Sequence, residues 1–173
     1  MDIWPSGETM ITALLGQDFF KVLASVHGVI ALFCICAAAV SIYLGWKLVS
    51  DRLADTADLK SISILISILS FMTIVFGNWI YIRYRSSDAE SAKNWLLAHN
   101  PVVHSVFFEF KEFIGLFTFP LTVAVAAILI QYGNQVLKEK YLRITVGLIL
   151  AVAFFYLILT FGLGAAITRV RPI

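Results

Sequence analysis

Four long apolar runs constrain the fold of this chain more than any other feature of its sequence. They cover about residues 22–46, 62–82, 102–130 and 144–167. A helix of about 20 apolar residues crosses the roughly 30 Å hydrocarbon core of a bilayer, and each run is long enough to do so. In lipid, only helices and closed barrels satisfy every backbone polar group, and these runs are continuous rather than alternating. The sequence therefore predicts an all-α integral membrane bundle of four transmembrane helices.

The composition of the chain favours the same environment. Hydrophobic residues make up 60% of the 173 positions and charged residues 14%, whereas globular domains are nearer half apolar and a quarter charged. A soluble core of this size cannot hide that excess, so we expect a lipid bilayer to surround the chain. A net charge of +2, without a run of lysine and arginine, argues against a nucleic-acid partner.

The N-terminal residues 1–21 precede the first run and form a separate predicted segment, followed by the four-helix transmembrane domain over 22–173. The start lacks the basic region and cleavage site of a signal peptide. Apolar residues recur at helical spacing within 8–20, namely Met10, Ile11, Leu14, Leu15 and Phe19. This pattern predicts a short N-terminal interfacial helix, although a simple extension of the first transmembrane helix fits it equally well.

Basic residues in the loops do not set the orientation of the chain. We call side A the side on which the first run begins, so the polar loop 86–100 also lies there. Side A carries Lys21, Arg83, Arg85, Lys93, Arg169 and Arg171, and side B carries Lys47, Arg52, Lys60, Lys138, Lys140 and Arg143. Because cytoplasmic loops are recognised by an excess of these residues, the sequence leaves orientation and organelle open.

Ionisable residues within or beside the predicted helices concentrate toward side A. The set comprises His27 in the first helix, Arg83 and Arg85 ending the second, and His104, Glu109, Lys111 and Glu112 opening the third. Ionisable side chains in a membrane span are energetically expensive and usually mark a functional site facing the bundle interior. A further histidine in the side-A loop, His99, is expected to be solvated. The side-A set is therefore the candidate functional site.

Two histidines of this set suggest a haem site. Imidazoles from two helices of a bundle can ligate the iron of haem b, and His27 and His104 both lie toward side A. Arg83 and Arg85 would supply positive charge for the haem propionates. At the level of architecture, the chain resembles four-helix membrane b-type cytochromes, although no motif matches residue by residue. The resemblance implies a haem-binding membrane protein that transfers electrons.

The predicted register nevertheless separates the two histidines along the membrane normal. His27 lies 19 residues before the side-B end of its helix at Trp46, and His104 lies 27 residues before Gln131. The difference of eight residues corresponds to about 12 Å at 1.5 Å per residue. Helix tilt or a kink at Pro120 would reduce that gap. The alternative role for both imidazoles is hydrogen bonding near the membrane interface.

Glu109 and Glu112 lie three residues apart and are neighbours on one helix. Two partly buried carboxylates of this kind can hold a proton between them, which suits proton transfer or quinone chemistry. Alternatively, Lys111, Arg83 or Arg85 neutralises both carboxylates in a structural ion network. The sequence leaves these two interpretations open.

Several common motifs are absent from the sequence. It contains no Gly-rich phosphate loop, no H-E-x-x-H and no metal-spaced cysteines, so a stand-alone hydrolase or transferase is not expected. We predict a small membrane subunit for electron or proton transfer, which binds haem b or contributes to a quinone-linked redox complex with other membrane subunits. The alternative is a non-catalytic structural subunit, without a cofactor, that packs against larger membrane proteins.

Overall fold

The computed structural model describes residues 7–89 and 91–170 of the chain. Its helices are α1 (Gly7–Val49), α2 (Ala57–Tyr84), α3 (Ala92–His99), α4 (Glu109–Tyr132), α5 (Gln135–Lys138) and α6 (Lys140–Val170). A π-helical turn, Val103–Phe108, leads directly into α4. No strand occurs in these described ranges, so the all-α prediction is confirmed.

Four helical stretches are long and apolar enough to cross a membrane. They are Phe19–Val49, Ala57–Tyr84, Val103–Tyr132 and Lys140–Val170. The shortest has 28 residues and extends about 42 Å at 1.5 Å per residue, which exceeds the hydrocarbon thickness. The prediction of four transmembrane helices is therefore confirmed on length and composition.

The four long helices pack around one shared interior. α1 contacts α2 and α6, and α4 contacts the same two helices. A hydrophobic cluster fills the side-B half; its buried members are Leu48, Leu59, Val125, Leu129, Val136, Val146 and Leu150. Near mid-span, the small side chains of Cys34, Ala37 and Ala38 allow α1 to approach α2 closely. Toward side A the interior becomes aromatic and polar, and the candidate functional residues lie there.

The first helix contains a backbone break at Gly16. Its φ of 71° and ψ of 161° lie outside the helical region, and glycine adopts a positive φ without a Cβ penalty. The break separates the first helical residues from the membrane-spanning part, which begins at Phe19. Interfacial placement of the segment 1–21 stays a prediction, because most of the side chains that suggested it lie outside the described residues.

The short helix α3 covers the side-A end of the bundle, within the loop that the sequence indicated only as polar. Its start is capped by Ser91, whose Oγ accepts a hydrogen bond from the Asn94 N–H at 3.4 Å. Leu96 is 0% exposed and belongs to one buried cluster with Tyr84 and Phe108. The apolar side of α3 therefore closes the bundle interior toward side A.

Polar contacts tie the two side-B connections together. Asn134 Oδ1 accepts hydrogen bonds from the N–H and Oγ1 of Thr56 at 3.0 and 2.9 Å. Arg143 forms an ion pair with Asp51. These contacts hold the α1–α2 connection against the segment that follows α4 and against the first turn of α6.

Candidate functional site

His104 lies in the π-helical turn before α4 and is buried. Its Nδ1 is 2.8 Å from the hydroxyl oxygen of Tyr84 at the end of α2, and the imidazole tautomer decides which group donates. Short π-helical segments inside α-helices are rare and frequently occur at functional sites, because the extra residue redirects the side chains. The hydrogen bond joins α2 to the start of α4.

Aromatic rings surround that hydrogen bond. Together with His104, the rings of Tyr81, Tyr84 and Phe108 form what we call the outer layer. Tyr84 and Phe108 stack with centroids 4.1 Å apart and planes inclined by 2°, and Tyr81 stacks on each of them at 5.8 Å. The guanidinium of Arg85 lies 5.3 Å from the Tyr81 centroid. The rings pack directly on one another, so the outer layer is a dense, hydrogen-bonded aromatic layer beneath α3.

His27 of α1 packs against the backbone of α2 at Gly77. A Cβ added to Gly77 would lie 3.3 Å from the imidazole Cε1 and 3.7 Å from Nδ1, so the glycine leaves the space that the ring needs. The ring also lies beside the backbone of Thr73. Among the described residues, its buried Nδ1 has no hydrogen-bond partner. A buried polar atom without a protein partner calls for a specific explanation, such as a catalytic role or a bound water.

Lys111 of α4 reaches the same interior from another helix. A Cβ added to Gly164 of α6 would lie 3.4 Å from the lysine Cε and 3.7 Å from Nζ. The ammonium lies 5.5 Å from the Phe108 centroid, within cation–π range. Within the described part of the chain, no carboxylate forms an ion pair with Lys111. Its charge acts on the imidazole of His27, and we call this pair the inner layer.

The inner layer lies at hydrocarbon depth. His27 is seven residues from residue 34, the midpoint of Phe19–Val49, and Lys111 is six to seven residues from the midpoint of Val103–Tyr132. Both residues are therefore about 10 Å from the middle of their spans. The hydrocarbon core extends about 15 Å to each side of the bilayer centre, so both residues lie within it. Ionisable groups at that depth are energetically expensive, and by default they indicate a functional site.

The acidic residues of the predicted cluster differ in exposure. Glu112 is half-buried and acts electrostatically on Lys111, whereas Glu109 is exposed. Arg83 lies 3.8 Å from Asp88, outside the predicted network. The structure thus brings Glu112 and Lys111 together at the edge of the inner layer and gives Arg83 a different carboxylate.

His27 and His104 lie at different levels of the bundle. The separation of the two histidines along the bundle can be read from their contacts with α2. His27 contacts Gly77, and His104 contacts Tyr84. These two α2 residues are seven apart, which corresponds to about 10 Å along the helix axis. Since both imidazoles must reach one iron, this arrangement does not fit a haem ligated by His27 and His104 together. In the described ranges, no group of three or more His, Cys, Asp and Glu side chains could hold a metal ion.

Sequence reasoning missed three parts of this site, namely Tyr84, Gly77 and Gly164. Tyr84 follows Tyr81 by three residues, a spacing that places both rings on one helix face and was a usable signal. The glycines carried no comparable signal. A glycine leaves space for a large side chain on the neighbouring helix. The sequence alone does not show which side chain of which helix occupies that space.

Comparisons with protein-family models, with curated proteins and with solved structures found no match to this chain. The functional argument therefore rests on the two layers at the side-A end. The outer layer is aromatic and hydrogen-bonded, and the inner layer contains ionisable groups at hydrocarbon depth.

Proposed function

We propose that this chain is a small integral membrane subunit for electron or proton transfer, and that its inner layer moves protons. The observation that carries the proposal is Lys111, which lies at hydrocarbon depth between Gly164 and the Phe108 ring and has no carboxylate ion pair within the described ranges. A purely structural lysine at this depth is expected to form an ion pair, because a partly buried charge without one is destabilising. A lysine that binds and releases a proton would explain why Lys111 has no carboxylate ion pair, because its amine is neutral for part of the time.

Each ionisable group has a defined part in this proposal. Glu109, which is exposed, and Glu112, which is half-buried, exchange protons with water on side A. Lys111 takes up a proton on its amine and becomes an ammonium. It then passes that proton to the Nδ1 lone pair of His27, leaving a neutral amine and an imidazolium, so one positive charge has moved. Bridging waters span any gap that is longer than a hydrogen bond.

If the chain transfers electrons as well as protons, it requires a cofactor. Haem b would supply electron transfer, with the propionates beside Arg83 and Arg85, and a quinone would couple electrons to protons. An absorption spectrum of the protein, purified after expression with haem available, tests the haem. A haem band that is lost on replacing only one of His27 and His104 assigns that imidazole as a ligand, whereas loss on replacing either one would contradict the separation of the two histidines along α2. A spectrum without haem absorbance removes haem from the proposal.

Proton uptake by vesicles tests the proton function directly. The purified protein is reconstituted into potassium-loaded liposomes that contain a pH-sensitive dye, and valinomycin then imposes a membrane potential. We expect acidification above that of protein-free liposomes, and its loss in Lys111→Met. The matched control is Lys138→Met, which removes an exposed lysine of α5 outside the apolar spans and should leave uptake unchanged.

The same measurement decides between this proposal and a non-catalytic structural subunit. Wild-type protein that admits protons no faster than empty liposomes contradicts the proposal, as does uptake that Lys111→Met leaves unchanged. Either result favours the structural subunit, whose partners would be larger membrane proteins packed against its lipid-facing helices.

A further inference from the structure

α2 carries a column of buried hydroxyl groups that the inner layer does not use. Ser63, Ser67 and Ser70 recur at helical spacing, and all three are buried. Ser63 Oγ donates to the Leu59 carbonyl at 2.6 Å, and Ser67 Oγ donates to the Ser63 carbonyl at 2.8 Å. Because these hydroxyl protons are engaged within the helix, the oxygen lone pairs are available to accept hydrogen bonds.

α1 contributes a thiol and a further hydroxyl to this column. Cys34 Sγ lies 3.5 Å from Ser70 Oγ, and either atom can donate. Ser41 is 1% exposed, and its buried Oγ has no partner in the described part of the chain. The helices are antiparallel, so the contact of Cys34 with Ser70 brings Ser41, two turns nearer side B, level with Ser63. The unpartnered hydroxyl thus lies in the bundle interior at the level of the column.

We propose that Cys34, Ser41, Ser63, Ser67 and Ser70 form an internal water-binding file that carries protons from the inner layer toward side B, as far as Ser41 and Ser63. The inference rests on the proposed proton function and extends it toward side B. The α2 hydroxyls are three or four residues apart, which corresponds to about 4.5–6 Å along the axis. That spacing is too long for a direct hydrogen bond and suits one bridging water between successive groups.

The file meets the inner layer where α1 crosses α2. His27 and Gly77, which are in contact, lie seven residues toward side A from Cys34 and Ser70, respectively. The distance along the axis is about 10 Å. Thr73 lies within this interval, and its backbone adjoins the imidazole of His27. Polar groups therefore continue from the inner layer into the file.

Transfer along the file conserves atoms and charge. A bridging water accepts a proton through a lone pair and releases a different proton to the next water, while the oxygens of Ser63 and Ser67, whose own protons stay on backbone carbonyls, accept hydrogen bonds that hold the waters in place. Each O–H bond that forms is matched by one that breaks, so the serines end unchanged and one positive charge has moved. The step requires no oxidant or reductant.

The two natural cysteines provide matched probes of this file. Cys34 is buried in it, whereas Cys36 is exposed on the outer surface of the bundle. The S–H stretching band falls in an infrared window that is free of other protein bands, so variants Cys34→Ala and Cys36→Ala report one thiol each. The variants in lipid vesicles are transferred to D2O and the decay of the band is timed. We expect the Cys34 thiol to exchange about tenfold faster or more, because exchange requires access to water.

Interruption of the file provides the second readout. Ser67→Val should slow exchange at Cys34, and Ser61→Val, on an exposed position of the same helix, should not. Equal exchange of the two thiols, or a Cys34 rate that Ser67→Val leaves unchanged, overturns the file and assigns the serines to helix packing alone. Either of those results is separable from failure of the proposed function, because proton uptake that depends on Lys111 is measured without reference to the thiols.

Discussion

Lys111→Met should stabilise the protein while removing proton uptake. Methionine preserves the length and apolar character of the side chain and eliminates a charge for which the described residues provide no ion pair. A lysine at the centre of a transmembrane helix costs about 2.5–3.5 kcal/mol, and this is the upper bound for Lys111, which lies about 10 Å from the centre of its span. The lost cation–π contact with Phe108 offsets about 0.5–1 kcal/mol of the gain. We therefore expect the free energy of unfolding to rise by at most about 2 kcal/mol, a value estimated from those two contributions.

Equilibrium unfolding in mixed micelles measures this change, with Lys138→Met as the exposed control whose stability should not change. A structural ion network predicts the opposite sign. If Lys111 neutralised Glu112 in a buried pair, its removal would destabilise the protein by about 3–5 kcal/mol. A loss of stability in that range would refute the assignment of Lys111 as an unpaired, proton-binding group.

Three further predictions follow from the fold. Leu96→Ala should destabilise the protein by about 2–5 kcal/mol, because it opens a cavity under α3, whereas Leu97→Ala, at an exposed position, should have little effect in the same unfolding assay. Tyr84→Phe should cost about 1–3 kcal/mol, since it leaves a buried imidazole nitrogen unpaired; unchanged stability would contradict the bond. In a cysteine-free background, Asp55→Cys and Ser87→Cys should react with a membrane-impermeant maleimide from opposite sides of the vesicle, and labelling from one side would contradict the four-span topology.

The four transmembrane helices could be predicted because lipid imposes length and backbone hydrogen bonding on any spanning segment. Those constraints act on each run separately and need no knowledge of its neighbours. The cap formed by α3 could not be predicted in the same way. Its eight residues are too few for a clear periodic signal, and the burial of Leu96 depends on contacts with the α2 and α4 termini.

The sequence identified most of the ionisable residues of the candidate site but not how the helices arrange them. His27, Lys111 and Glu112 were identified because ionisable residues are rare in apolar runs. The division into two layers depends on helix pairing, which sets Gly77 opposite His27 and Gly164 opposite Lys111. The height difference between the histidines was nevertheless visible in the sequence, because helical rise converts residue spacing directly into distance.

The central claim is that this bundle transfers protons through the inner layer, and the current–voltage relation of the protein in a planar bilayer tests it most directly. With equal salt and a difference of one pH unit across the bilayer, a proton-selective pathway reverses near the proton equilibrium potential, about 59 mV for a singly charged ion at 25 °C. We expect the reversal potential to follow the pH difference, and the current to be lost in Lys111→Met. A reversal potential that stays at zero, or a current no larger than that of the protein-free bilayer, would contradict the claim.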